Sequence, residues 1–237
     1  MKIAVYSGSF NPLHIGHLAI MKHLIEKAGF DMVYLIVSPK NPLKDSISSD
    51  SATDRYNAAV EAVNRHFGIE ASSGRDWDGQ TVATRGLVSG CHDQSGVTGW
   101  RAGDHRETDR KSDHQSHSGT SVVKVDNIEL TMPEPHYTIR TLRALQEREP
   151  GNRFTLIMGA DNLACIRKWK EYQNILTDFG VAVFPREGHD LKSIREGLMS
   201  ENSDYEIRLL DAPLVTISST EIREAMQHGK DISQYLM

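Results

Sequence analysis

Cysteine is nearly absent from this chain. Only Cys91 and Cys165 occur in 237 residues. Two thiols do not build a disulfide framework, so the expectation is free thiols in a reducing compartment. No apolar run approaches the roughly 18 residues that a membrane-spanning helix needs. Met1 to Ser7 is a short strand-like run that lacks the apolar middle and small-residue cleavage site of a secretory leader. Together these absences predict a cytoplasmic chain without a membrane partner. Basic charge is not in excess either: 27 Lys and Arg against 32 Asp and Glu leave a formal net charge of −5. That balance argues against nucleic acid as a partner. It leaves room for an anionic substrate, because a pocket can be locally positive on an acidic protein.

Apolar residues are scarce in one place. Between Ile69 and Val122 only 12 of 54 residues are apolar, and only Ile69 and Leu87 are Ile or Leu. The same stretch holds 8 of the 18 glycines. Gly103 to Ser121 has no apolar side chain at all, so burial there cannot offset the entropy of ordering. The expectation is one domain formed by 1–68 and 122–237, interrupted by a polar insertion at 69–121 without stable order. Cys91, His92, His105, His114 and His117 lie in that insertion, but their spacing matches no standard zinc pattern, so no protein-held metal is expected.

The rest of the chain alternates between two periodicities. Strands are expected at Lys2–Ser7, Met32–Val37, Val122–Leu130, Phe154–Met158, Val181–Phe184 and Ile207–Leu210. Helices are expected at Ile15–Ala28, Thr53–Arg65, Tyr137–Arg148 and Ser219–Gln227. This order predicts an α/β fold, a Rossmann-like doubly wound parallel sheet. Ligands in such sheets sit beyond the carboxyl ends of the strands. The loops to search are therefore 8–14, 38–52, 159–162 and 211–220.

The first of these loops carries the strongest signal. Gly8-Ser9-Phe10-Asn11-Pro12 is turn chemistry between a strand and a helix. Gly8 lets a phosphate approach the backbone, and the following helix start offers free N–H groups to an anion. His14 and His17 are three apart and share one face of the first turn. Two imidazoles beside a phosphate can donate to oxygens whose charge grows in a transition state. Near the other end, Ser218, Ser219 and Arg223 open a helix with hydroxyls and a fixed cation suited to phosphate. Helix capping by Ser219 or Thr220 is compatible with that role.

His14-Ile15-Gly16-His17 resembles the (T/H)xGH signature of nucleotidylyltransferases, and Ile217 to Arg223 resembles their ISSTxxR signature. Three further segments resemble the nicotinate-mononucleotide adenylyltransferase family. They are Pro135 to Leu142, Gly159-Ala160-Asp161-Asn162-Leu163, and Lys168-Trp169-Lys170-Glu171-Tyr172. The resemblance covers the chain outside 69–121. It implies transfer of AMP from ATP to nicotinate mononucleotide, giving deamido-NAD and pyrophosphate. It assigns His14 and His17 to the transferring phosphate, and Lys44, Ser218, Ser219 and Arg223 to the outer phosphates of ATP. Gly8, Ser9 and Phe10 form the phosphate-facing turn, and Gly159 and Asp161 lie at the adenosine ribose. Tyr137, Thr138, Trp169 and Lys170 hold nicotinate mononucleotide, with Trp169 stacking on the pyridine. A core tryptophan is the alternative for Trp169.

The cofactor implied is Mg²⁺, held mainly by the phosphates of ATP, and a homo-oligomer is compatible with the family. The chain departs from the family at Leu43, where a His is usual, in the length of 69–121, and in ending at Met237 before a last helix. Other readings stay open. One is another adenylyl- or cytidylyltransferase, for example on phosphopantetheine. Another is a nucleotide-binding copy with impaired turnover.

Overall fold

The computed structural model describes residues 1–39, 51–67, 122–212, 214 and 216–237. Lys44 and the expected insertion 69–121 lie outside the described residues.

The chain forms β1 (Lys2–Gly8), α1 (Ile15–Glu26), β2 (Met32–Val37), α2 (Ala52–Phe67), β3 (Val122–Asp126) and α3 (Ile128–Thr131). It continues with α4 (Thr138–Arg148), β4 (Arg153–Gly159), α5 (Ala160–Ala164), a 3₁₀ turn (Ile166–Lys168), α6 (Tyr172–Asn174) and a π-helical turn (Ile175–Phe179). The last elements are β5 (Val181–Phe184), α7 (Leu191–Glu201), β6 (Ile207–Leu209), α8 (Ser219–Gln227) and a final 3₁₀ turn (Ser233–Tyr235). All six strands are parallel, in the order β3-β2-β1-β4-β5-β6. This is the doubly wound order expected of strands alternating with helices. β2 pairs with β3, so the chain on both sides of 69–121 enters the same sheet.

Burial follows from strand geometry. β1 is central and apolar on both faces, as a strand covered on both sides must be. Ile3 and Val5 face one apolar cluster with α4 and α7, while Ala4 and Tyr6 face another with α1 and α2. The two clusters are the two layers that the sheet separates.

Two expectations need correction. Val122–Leu130 is not one strand, because β3 ends at Asp126 and a short helix follows. Asp126 Oδ1 accepts the Ile128 N–H at 3.0 Å, a local side-chain bond that turns the backbone out of the ladder. The helix α7 was also not expected. Its apolar spacing, Leu191, Ile194 and Leu198, is interrupted by Gly197 and charged neighbours, and Asp190 caps it by accepting from Lys192 and Ser193 N–H groups. Among the described residues no helix is long and apolar enough to cross a membrane.

A buried ion pair fastens β3 to α4. Asp126 is almost fully buried and takes both Arg148 terminal nitrogens, at 3.1 and 2.7 Å. Beside it the Tyr34 hydroxyl donates to the Glu149 carboxylate. Removing Asp126 leaves the part-buried Arg148 with only its 3.2 Å contact to Glu149. Asp126→Ala is expected to cost about 3 kcal/mol of unfolding free energy by urea denaturation. A loss below about 1 kcal/mol, the value of an exposed pair, would contradict this role.

Candidate active site

The strand order reverses between β1 and β4, and the first and fourth strand-to-helix connections leave from their carboxyl ends. Helix α1 starts after β1, and α5 starts directly after β4. This is the crevice where doubly wound sheets take their ligands.

His14 is the N-cap of α1 and His17 lies in its first turn. The Gly16 N–H donates to His14 Nδ1 at 3.2 Å, and the His14 N–H donates to His17 Nδ1 at 3.1 Å. Helix starts leave such donors unpaired, and here two imidazoles satisfy them. A neutral ring whose Nδ1 accepts a hydrogen bond carries its proton on Nε2. Both rings are therefore fixed as Nε2–H donors. They lie face against face, 3.7 Å between centroids with 33° between planes. Burial, then the positive charge of Arg186, lowers the His14 pKa to about 4. Burial, then His14, then Arg186 holds His17 well below the usual 6.5. At neutral pH the pair consists of two uncharged donors.

The turn before them is shaped by Phe10. Its backbone is left-handed, with φ +45°, which is strained for an aromatic residue. The buried ring contacts Tyr6 and meets His17 edge-on at 5.1 Å. Gly8 makes room for it, since a Cβ at Gly8 would lie 3.1 Å from Phe10 Cζ. Ser9 is exposed at the crest of this turn.

Gly159 and Asp161 stand at the end of β4. A Cβ at Gly159 would come within 2.4 Å of Asp161 Oδ1, so only glycine lets that carboxylate fold back over the strand end. Beside them is Arg186, which sequence reasoning missed. Its Cγ approaches the same Gly159 position, its guanidinium lies 5.2 Å from the Phe184 ring centroid, and its charge reaches His14, His17 and Glu221. The available signal was a single arginine two residues beyond a wholly buried strand.

Helix α8 docks on the first turn. Ser219 Oγ donates to Pro12 O at 3.2 Å, and an Arg223 terminal nitrogen donates to Asn11 O at 2.7 Å. Ser218 caps the helix, and its hydroxyl and N–H both donate to the Glu221 carboxylate. The structure thus brings Ser219 and Arg223 to the histidine turn, although the chain separates them by some 200 residues, while Ser218 bonds within its own helix. The final residues also reach it, through a bridge between His14 and Leu236.

Tyr137 and Thr138 start α4, and Trp169 follows the 3₁₀ turn. Tyr137 and Trp169 are half-buried against the α4 side of the core. Trp169 is in part the core residue that the alternative allowed. However, its indole Nε1 is buried without a hydrogen-bond partner among the described residues. Lys170 is exposed. Among the described contacts none joins Trp169 or Lys170 to the histidine pair.

This arrangement suits an anion that changes charge while it reacts. Fixed donors at a helix start lie within the field of the Arg186 guanidinium, and no activated nucleophile is among them.

The sequence profile of the cytidylyltransferase-like family matches residues 5–73 and 109–225. A probable nicotinate-nucleotide adenylyltransferase of Flavobacterium psychrophilum is 33% identical over 236 residues, covering 100% of this chain and 92% of the relative. Its counterpart in Flavobacterium johnsoniae is 29% identical over the same shares. Among solved structures, the Plasmodium falciparum nicotinic acid mononucleotide adenylyltransferase complexed with NaAD superposes with a TM-score of 0.64 at 16% identity, covering 99% of this chain and 90% of that one. At that identity the likeness is one of fold.

The depressed histidines make stability depend on pH. Unfolded histidine titrates near 6.5, whereas folded His14 titrates near 4. Between those values the unfolded chain binds a proton that the folded chain refuses. Stability is thus complete above pH 6.5 and is lost as pH falls toward 4. The slope is at most about 1.4 kcal/mol per pH unit for each such histidine. Urea denaturation at pH 7.5, 6 and 5 checks this. His14→Asn should flatten the slope, and identical slopes in the two proteins would contradict the assignment.

Proposed function

The chain belongs to the nicotinate-nucleotide adenylyltransferases within the cytidylyltransferase-like family, and we propose that it transfers AMP from ATP to nicotinate mononucleotide, giving deamido-NAD and pyrophosphate in NAD biosynthesis. The observation that carries the mechanism is the pair of Nε2–H donors at the start of α1.

The acceptor brings its own nucleophile, a 5′-phosphate oxygen that is already anionic at neutral pH. That oxygen bonds to the α-phosphorus of ATP, and the bond to the pyrophosphate oxygen breaks. No protein base has to remove a proton. What the protein must supply is alignment and charge stabilisation. His14 and His17 donate to the oxygens of the transferring phosphate. Being neutral, they add hydrogen bonds without trapping the product by a full charge. Arg186 adds the positive field that the neutral pair lacks.

Ser218, Ser219, Arg223 and Lys44 serve the departing phosphates. A phosphate at the start of α8 takes the donors that Glu221 holds. Gly8, Ser9 and Phe10 form the turn facing ATP, and Asp161, set in place by Gly159, serves the ribose. Tyr137, Thr138, Trp169 and Lys170 form the acceptor side, where the indole face suits an electron-poor pyridine.

Among the described residues no three His, Cys, Asp or Glu side chains group to hold a metal. The Mg²⁺ expected with ATP would be carried by its phosphates and by water. When bound, it would neutralise the triphosphate and the leaving pyrophosphate.

Pyrophosphate release tests this with ATP and three acceptors: nicotinate mononucleotide, nicotinamide mononucleotide and phosphopantetheine. Nicotinate mononucleotide should give the highest kcat/KM. His17→Ala should lower kcat at least about 10²-fold, roughly 2.7 kcal/mol of barrier. Preference for phosphopantetheine, or no release with any acceptor from the folded protein, would overturn the reading.

A further inference from the structure

Arg55 is a buried arginine outside the residues discussed so far. It sits on α2 and is only 5% exposed. One terminal nitrogen donates to Ser9 O at 2.5 Å and to Ser38 O at 2.9 Å, and the other donates to Pro39 O at 3.0 Å. These three carbonyls belong to two connections. Ser9 lies in the turn between β1 and α1, while Ser38 and Pro39 begin the connection from β2 to α2.

Its placement explains why a charge is used there. β1 and β2 stay paired to their ends, where the Ser38 N–H donates to Gly8 O at 2.8 Å. Beyond that point the two segments part. The carbonyls there are only part-buried, but the guanidinium that meets them is buried. An apolar side chain from α2 could fill the same space, but it could not bind either segment. A guanidinium can, because its donors are fixed in one plane and point several ways at once. Burying that cation is unfavourable unless its donors are used. The side chain therefore prefers one geometry of the two segments over all others.

We propose that Arg55 is a positioning residue of the ATP side of the site, setting the span between the Ser9 turn and the Ser38–Pro39 segment by holding their carbonyls. This rests on the reading of the site as an adenylyltransferase site with ATP across these two connections. Arg55 also draws carbonyl oxygens, the negative ends of the peptide groups, toward itself, where a triphosphate would otherwise meet them. The acceptor side, at Tyr137 and Trp169, is built from other connections and should not depend on this clamp.

The test is equilibrium binding of Mg–α,β-methylene-ATP and of nicotinate mononucleotide to the full chain, in wild type, Arg55→Met and Arg55→Lys. Arg55→Met should raise the Kd for the ATP analogue at least about 10-fold while the Kd for nicotinate mononucleotide changes less than about 2-fold. Arg55→Lys keeps the charge but not the planar fork, so it should fall between wild type and Arg55→Met. Unchanged ATP-analogue binding, or equal weakening of both ligands, would overturn the proposal. Failure of both variants to fold would overturn it too, since the arginine would then serve the core as a whole. Wild type that binds the ATP analogue but makes no dinucleotide refutes the functional reading and leaves the Arg55 result readable.

Discussion

The backbone N–H of His14 points into the ring of His17, and the N–H of Gly16 points into the ring of His14. Every helix must find partners for its first donors. Most do so with a hydroxyl or a carboxylate, which ends the matter structurally. With imidazoles in that position, satisfying the helix also decides where each ring proton sits. The cap consumes both Nδ1 atoms and leaves both Nε2–H groups for something else. Stacking at 3.7 Å works because the rings are uncharged, and burial together with Arg186 keeps them so. One local constraint thus links the start of a helix, the protonation of two side chains and the chemistry available at the end of the central strand.

The rest of the fold holds that turn still. β1 delivers it at the switch between β1 and β4. Phe10 accepts a left-handed backbone so that its ring can brace His17, and Gly8 gives it space. From the far end of the chain, Ser219 and Arg223 grip the carbonyls of Pro12 and Asn11. From α2, Arg55 grips the carbonyl of Ser9. Carbonyls of one five-residue turn are thus taken by side chains from two distant helices. Several backbone groups are satisfied at once, and the site becomes rigid as a consequence.

Much of this was legible in the sequence where the relevant residues are close together in the chain. HxGH, the glycine turn before it and the strand runs all have their meaning within one or two turns. The doubly wound sheet followed from alternating periods, and the family from separated motifs in the right order. What escaped depends on contacts across the sheet. Arg186 is one cation after one strand until Gly159 and His14 are placed beside it. Arg55 reads as a polar position on an amphipathic helix until three carbonyls converge on it. The break after Asp126 was missed although the apolar positions change parity there, from Val123 and Val125 to Ile128 and Leu130, where a side-chain bond ends the strand. Ser218, Ser219 and Arg223 were found by motif, but the grip of Ser219 and Arg223 on the first turn is tertiary. Trp169 shows the reverse limit: its motif suggests a stacking surface, and the fold also makes it part of the core wall.

The central claim is that His14 and His17 are neutral rings protonated on Nε2. Two-bond ¹⁵N–¹H correlation spectra of the histidine-labelled protein across pH 5 to 8 measure this directly, with single His→Asn variants giving the assignments. The account predicts that both rings show the Nε2–H tautomer at pH 7 and remain predominantly neutral at pH 5.5. A ring that titrates near 6.5, or that carries its proton on Nδ1, would contradict it.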